Sequence, residues 1–316
     1  MKSVENSFAK AIYQKVDDLI ENSEKKTLKI RLLLYLRCIR IKEVILIGGV
    51  TFLGLLFSVQ NLSFALLMDW ALVMISTYLL LGHVYLYNDW QGYAYDRNDL
   101  NKQDKPVVSG KISLTEIKIL AIILLLVSLS IALYFSVWMM IVGLTIAFLN
   151  FIYSNNKIFL KSVPVMSSML HGVGATLGFK FGTLYQGEWT ASATLFGIYF
   201  GIVYAAGHLN HEITDFESDK NSGVPTHAVV FGKTKAFKAS FILFSVSFLY
   251  ITALSFYNIL PRLLIAGVSL AYPIYVFFYM NTLKQNLSHG SMINFRTQYR
   301  MLYLLWGIFL AICIAI

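Results

Sequence analysis

Residues 63–96 read SFALLMDWALVMISTYLLLGHVYLYNDWQGYAYD. Residues 63–87 are apolar almost throughout, enough for the ~20 residues a helix needs to cross a hydrocarbon layer. Asn88-Asp89-Trp90-Gln91-Gly92-Tyr93-Ala94-Tyr95-Asp96 then turns polar. The pattern returns after residues 190–209, where His211-Glu212-Ile213-Thr214-Asp215-Phe216-Glu217-Ser218-Asp219 follows another apolar run. Asn88, Gly92 and Asp96 recur every fourth position, as do His211, Asp215 and Asp219. That spacing places each trio on one face of a helix. Two oxygen-rich faces at the mouths of apolar helices point to hard cations, and hard cations to a phosphate-bearing substrate.

Composition agrees with lipid as solvent. Of 316 residues, 57% are hydrophobic and 14% charged, with a mean hydropathy of +0.63; an ordinary soluble domain carries about 25% charged residues. The expected fold is all-α and polytopic, with about nine transmembrane helices at about 44–60, 63–87, 118–135, 137–153, 163–182, 190–209, 237–257, 262–280 and 299–316. Of the 26 Lys and Arg residues, only Lys180 and Arg262 fall off one side of this arrangement. The positive-inside rule makes the rich side cytoplasmic, and both acidic segments open onto it. The net charge of +9 therefore needs no nucleic acid; topology and anionic lipid heads account for it. Cys38 and Cys313 lie near opposite ends, so no disulfide framework is expected.

The N-terminus lacks the pattern of a signal peptide. Residues 1–43 read as a cytoplasmic amphipathic segment, with Leu28, Leu32, Tyr35 and Ile39 as an apolar stripe suited to the membrane surface. Residues 44–316 then form a single transmembrane domain. A weak internal echo runs through it: each half has a span, an acidic helix end and a polar loop, Asn101 to Lys111 in the first and Lys220 to Thr226 in the second. Two half-bundles would bring their acidic ends together over a shared cavity, where polar groups at membrane depth are tolerable.

Carboxylates converging from two helices repel unless cations lie between them. Asp96, Asp215 and Asp219 are the expected Mg²⁺ ligands, and Asn88 offers a neutral carbonyl oxygen. Asp89 points about 100° away from Asn88 on a regular helix and is expected to stand behind the ligands. Mg²⁺ held by few carboxylates completes its shell with water and phosphate oxygens. Lys105, Lys157 and Lys161 would neutralise the rest of a diphosphate. Tyr153-x-x-x-Lys157 is the preferred element, its hydroxyl reaching inward while the lysine faces the polar mouth. No Cys/His set has zinc spacing. His171 lies within a span and reads as a packed residue of the pocket. His208 and His211 flank the second acidic segment; either is a candidate to assist a final proton loss, and the diphosphate is an equal candidate as the base.

Asn88 to Lys111, Tyr153 to Lys161 and Asp215 to Gly232 together resemble the UbiA-type intramembrane prenyltransferase superfamily. Its N-D-x-x-D-x-x-x-D segment follows the second helix, its Y-x-x-x-K element the fourth and its D-x-x-x-D segment the sixth. The order covers most of the chain from about residue 44 onward. The resemblance implies a nine-helix bundle around a central cavity, Mg²⁺ as cofactor and a prenyl diphosphate substrate. One position departs: Gly92 stands where the middle Asp belongs. The resulting N-x-x-x-G-x-x-x-D is similar to the terpene-cyclase branch, in which the substrate is cyclised rather than transferred.

The reading adopted from the sequence is a membrane terpene cyclase acting on a prenyl diphosphate, geranylgeranyl diphosphate by resemblance. Metal and lysines stabilise the departing diphosphate, and a dry bundle protects the allylic cation from water. Tyr85, Tyr93 and Phe148, with Trp90, Phe151 and Tyr204, are candidate aromatic faces for that cation, and Gly92 opens room beside the diphosphate. A prenyltransferase with an aromatic or lipid acceptor is the alternative. A secondary transporter is a third reading, since half-bundle repeats and membrane carboxylates occur there too.

Overall fold

The structure, a computed structural model, describes residues 28–58, 64–97 and 102–316. Most of the amphipathic segment expected over 1–43, and Asn101 of the first loop, lie outside these residues. The described elements are helices α1 Leu28–Ile39, α2 Ile41–Phe57, α3 Phe64–Asp96, α4 Leu114–Phe135, α5 Val137–Ser154, α6 Met166–Thr183, α7 Ala191–Thr214, α8 Phe216–Asn221, α9 His227–Phe231, α10 Lys233–Phe256, α11 Leu263–Lys284 and α12 His289–Ala315. The chain is an all-α polytopic membrane protein. Each of the nine expected spans has a helix at its place among the described residues. Seven are long and apolar enough to cross a membrane. α2, with 17 residues, and α6 are the two that fall short.

α6 falls short for a packing reason. It lies between α2 and α7 and meets both through small residues. A Cβ at Gly54 of α2 would overlap the Phe179 carbonyl oxygen, and one at Gly182 of α6 would overlap the Thr51 carbonyl oxygen. Thr51 Oγ1 also donates to the Gly178 carbonyl at 2.9 Å. On the other flank, a Cβ at Gly172 would stand 2.9 Å from the Gly201 carbonyl oxygen of α7. Small residues are what allow helix backbones to approach this closely in lipid, and a helix so enclosed needs little apolar surface. α3 and α4 close by a different device: Ser76 Oγ donates to the Ser128 carbonyl at 2.9 Å, and Ser128 Oγ returns a bond to the Ser76 carbonyl at 2.8 Å.

The outer faces are apolar. Ile119, Ile122, Ile123, Leu126 and Leu133 stand exposed along α4, and Trp138, Ile141, Leu144, Phe148 and Phe151 along α5. Helix ends are set by local chemistry. Ser113 and Glu116 form a capping box at the start of α4, and Ser136 ends α4 while its hydroxyl caps α5. α1 departs from expectation. Its buried face is Ile30, Leu34 and Cys38, packed with Leu86, Val107 and Ile112, whereas Leu32 is exposed. The helix docks on α3 and the following loop, which offer a larger apolar surface than the stripe read from the sequence assumed.

Gly182→Ala should force α2 and α6 apart and lower stability by about 1–3 kcal/mol, read as a reduced thermal midpoint of the detergent-solubilised protein. Gly174→Ala, with no atom within 4 Å of its Cβ position, should leave the midpoint unchanged or raise it.

Candidate active site at the mouth of the bundle

α3 continues without a break past its apolar part to Asp96. Tyr85, Asp89, Gly92 and Asp96 are separated by four, three and four residues and share one face. Asp89 and Asp96 are 5% and 6% exposed, and each is neutralised. Lys105 Nζ bridges them, at 2.8 Å from Asp89 Oδ1 and 2.6 Å from Asp96 Oδ2. Lys102 Nζ adds a contact to Asp96 at 2.9 Å, and Arg40 Nη2 one to Asp89 at 2.7 Å. Asp89 lies two helical turns back from Asp96, where one lysine reaches both. Lys105 is held there by a loop that folds back on itself: Ser109 N–H donates to the Lys105 carbonyl and Ile112 N–H to the Pro106 carbonyl, with Val107 and Ile112 buried beneath.

The second acidic segment bends. α7 ends at Thr214, Asp215 is the junction residue, and α8 carries Asp219. The Asp219 N–H donates to the Asp215 carbonyl at 2.9 Å, so the one-turn spacing survives the bend. Asp215 is exposed and Asp219 half-buried. Burial, and then the neighbouring Asp215, push the Asp219 carboxyl up to about 6.

Lys161 is close enough to both segments to feel the charges of Asp96 and Asp219. Burial and Lys102 hold its ammonium below the usual lysine range against the pull of those carboxylates. The chain reaches this point by an irregular route. α5 stops at Ser154, Phe159 adopts a left-handed conformation with φ 46°, and a short 3₁₀ turn, Leu160–Ser162, follows. Phe159 stacks on Tyr95 of α3 at 5.4 Å, which ties the loop to the first acidic helix. The helix ends before the fourth residue after Tyr153, so Tyr153 and Lys157 do not share a helix face, and Lys157 is exposed.

Two expected pocket residues are also corrected. Phe148 is 59% exposed on the outer stripe of α5, because the inward face of that helix is Met139, Val142, Gly143, Ala147, Asn150 and Ser154. Tyr93 packs against the α1 cluster, about 100° round α3 from Gly92. Tyr85 stays on the acidic face, with the Arg40 guanidinium 4.9 Å from its ring centre. A Cβ at Gly92 would lie 3.7 Å from Asp96 Oδ2 and 3.9 Å from Asn88 Oδ1, so the glycine sits between those two side chains with space above it.

A buried network beside Tyr153 escaped the sequence reading. Tyr153 meets the His171 ring edge-on at 5.0 Å, and His171 packs on His208 at 3.9 Å. Next comes Glu212, which is buried. Ser167 Oγ donates to its Oε1 at 3.0 Å, and the His227 backbone N–H to its Oε2 at 2.9 Å. His227 Nε2 accepts from the Val165 N–H; its Nδ1 therefore carries the proton and donates to Glu212 at 2.9 Å. Val165 has φ 70°, a costly conformation for a β-branched residue, and this bond helps hold it. The i, i+4 spacing of His208 and Glu212 was visible in the sequence; His227, fifteen positions on, needed the fold.

Among the described residues no three His, Cys, Asp or Glu side chains stand together as a metal cluster. The donor set nonetheless fits a divalent cation. Burial and the nearby Asp215 both raise the Asp219 carboxyl, and a cation beside the two carboxylates would relieve that. Asn88 and Asp96 would join from α3, where lysines already neutralise the carboxylates.

Residues 47–297 match the UbiA prenyltransferase family. Among curated relatives, the digeranylgeranylglyceryl phosphate synthase of Methanosphaera stadtmanae is 26% identical over 190 residues, 60% of this chain and 68% of that protein. A solved digeranylgeranylglyceryl phosphate synthase superposes with a TM-score of 0.70 at 18% identity, covering 90% of this chain and 98% of that one. A UbiA homologue from Archaeoglobus fulgidus, bound to DMAPP and Mg²⁺, gives 0.67 at 20% identity, covering 88% and 98%. At these identities the structural likeness speaks for the fold.

Metal ligation needs an ionised carboxylate, and a proton should compete for Asp219 up to about pH 6, well above an ordinary aspartate. Mg²⁺ affinity measured calorimetrically between pH 5 and 7.5 should fall on the order of tenfold per pH unit below about 6. In Asp219→Asn binding should be weaker throughout and that pH dependence lost.

Proposed function

The chain belongs to the UbiA prenyltransferase family, and on that premise we propose that it is an intramembrane prenyltransferase that ionises a prenyl diphosphate and passes the prenyl cation to a lipid acceptor. The observation that carries this is that Lys161 is close enough to be influenced by carboxylates of two helix ends far apart in sequence, Asp96 and Asp219. A leaving group there would meet Lys161, Lys102 and Lys105, three ammonium groups on short loops anchored to rigid helices. Asp215, Asp219, Asp96 and Asn88 are the residues that would hold Mg²⁺. When bound, Mg²⁺ supplies Lewis-acid neutralisation of the diphosphate.

The protein's own groups do the rest. The lysines bind the diphosphate oxygens and stabilise the charge that develops as the allylic C–O bond opens. Arg40 and Lys105 hold Asp89 and Asp96 in place, so the acidic face stays ordered before substrate arrives. The apolar bundle excludes water from the cation, and Tyr85 and Tyr153 offer ring faces near the mouth. A lipid acceptor is favoured because the matching curated relatives are named digeranylgeranylglyceryl phosphate synthases. Membership of an enzyme family displaces the transporter reading.

One observation favours the cyclase as a second reading. Gly92 stands between Asn88 and Asp96, where the family pattern has a carboxylate, and the missing side chain would give a folded prenyl chain more room where an acceptor otherwise approaches. The two separate cleanly. Purified protein given Mg²⁺ and geranylgeranyl diphosphate alone should remain idle if it is a transferase and turn over once a lipid acceptor is added. A cyclic hydrocarbon with released diphosphate, formed without acceptor, would establish the cyclase.

Lys161→Ala should lower kcat/KM for the prenyl diphosphate by about 10²-fold, whereas Lys157→Ala should change it by less than about twofold. Equal losses in steady-state diphosphate release would contradict the assignment of Lys161. Gly92→Asp should fold normally, since its Cβ meets only ordinary contacts, and should tighten Mg²⁺ binding; calorimetry on the variant checks it.

A further inference from the structure

The far end of the bundle, away from the acidic mouth, holds a buried cation that the reaction does not use. α6 ends there, and α5 and α7 begin there. Met169, Val173 and Lys180 of α6 follow one another at four and seven residues, so they share one stripe. Met169 and Val173 are exposed, whereas Lys180 is 1% exposed. At Lys180 the Trp189 ring lies over the stripe, its centre 4.2 Å from Nζ. Beneath that ring Nζ has no hydrogen-bond partner. Lys180 forms no ion pair among the described residues. Glu188 is exposed in the same turn as Trp189, yet no carboxylate is close enough to act on Lys180.

A lysine that serves topology alone lays its stem on apolar surface and puts its head in water. This one puts its head under an indole. The ring face offsets part of the cost of a buried ammonium, but it supplies no counter-charge for a head with three N–H donors. A second source of positive potential lies beside it. α5 begins at Val137 with Ser136 as its cap. The turn that carries Trp189 runs against this start: a Cβ at Gly187 would stand 3.6 Å from Ser136 Oγ, and Trp138 meets Trp189 edge-on at 6.4 Å. The Ser136 hydroxyl accepts from the Trp138 N–H. The other first-turn amides have no acceptor within the helix and form the positive end of its dipole. A buried ammonium and a helix N-terminus that share one indole neighbour are the two elements of an anion site.

The surroundings say what carries the anion. Trp138 and Trp189 are about half exposed and Tyr134 is 77% exposed, with Leu133 and Val137 exposed beside them. Aromatic residues gather at headgroup level, and the exposed apolar stripes of α4 and α5 lead away from them. Such a rim suits a phosphate that bears acyl chains. We propose that Lys180, Trp189 and the first turn of α5 bind the phosphodiester head of an anionic phospholipid in the leaflet away from the acidic mouth. One ammonium and one helix end match the single negative charge of a phosphodiester, and a choline head would bring a second cation toward Lys180. Trp189 lies in the irregular stretch before α7, so its ring can swing aside to admit the phosphate without moving a helix. The bound lipid would tie the start of α5 to the end of α6. This site stands apart from the transferase reading.

The test uses the full-length protein, delipidated in neutral detergent, with phosphatidylglycerol, phosphatidylcholine and inorganic phosphate as probes. Equilibrium binding and the thermal midpoint are read together. Wild type should bind phosphatidylglycerol about tenfold more tightly than phosphatidylcholine, with a rise in midpoint. K180M should weaken phosphatidylglycerol about tenfold and lose that rise. Its midpoint without lipid should equal or exceed wild type, since an unpaired buried charge has gone. K180R should keep part of the binding. R262Q, at the other basic residue of the far side, which is exposed, should bind as wild type does. Unchanged phosphatidylglycerol binding in K180M would overturn the proposal, as would equal binding of phosphatidylcholine by wild type. An equal loss in R262Q would overturn it in favour of diffuse surface attraction. Lys180-dependent binding of inorganic phosphate as tight as phosphatidylglycerol would replace the lipid by a small anion. A lower lipid-free midpoint in K180M would mean that the lysine is already satisfied within the protein, and would count against the site.

Discussion

Buried carboxylates at the ends of membrane helices must be neutralised, and the architecture of this mouth follows from that requirement. Asp89 and Asp96 are almost wholly buried, and an unpaired buried charge costs about 3–5 kcal/mol. Lys105 therefore has to come back across the acidic face, and the loop from Lys102 to Ile112 is built to bring it there, with Val107 and Ile112 as its apolar anchors. Arg40 closes the other side of Asp89 from the junction of α1 and α2. The second acidic end is treated differently. Asp215 and Asp219 are left partly in solvent, with Lys161 acting on Asp219, and the nearness of the two carboxylates keeps that end receptive to positive charge.

The helices behind the mouth make this arrangement rigid. α6 and its neighbours meet backbone to backbone through Gly54, Gly182, Gly172 and Gly201, an interface with few rotamers to reorganise. At its start, α6 is fastened to α7 and α9 by Glu212, Ser167 and His227. That fastening holds the loop that carries Lys161, since Val165 is pinned by His227 a few residues later. Packing in the lipid layer thus fixes where a lysine stands at the mouth, and the position of that lysine is what a departing diphosphate would sense.

Much of this was legible from residue spacing. The apolar runs marked where helices lie, and the four-residue recurrence of Asn88, Gly92 and Asp96 marked a shared face, since both are properties of a single helix. Spacing says less where helices end: α5 stops at Ser154, short of Lys157. It also does not set which face turns inward, and Phe148 lies on the outward stripe with Ile141 and Leu144.

By itself, then, the sequence determined an all-α membrane bundle, two acidic helix ends and a set of basic loops, because each depends on periodicity or composition within one segment. Only the tertiary structure decided which cation meets which acid, which lysine stands between the two ends, and that His227 and the arginines of α12 reach Glu212 and His211. Those contacts join residues 6 to 89 positions apart. They are set by how helix backbones pack and where loops reverse, for which a linear pattern carries no signal.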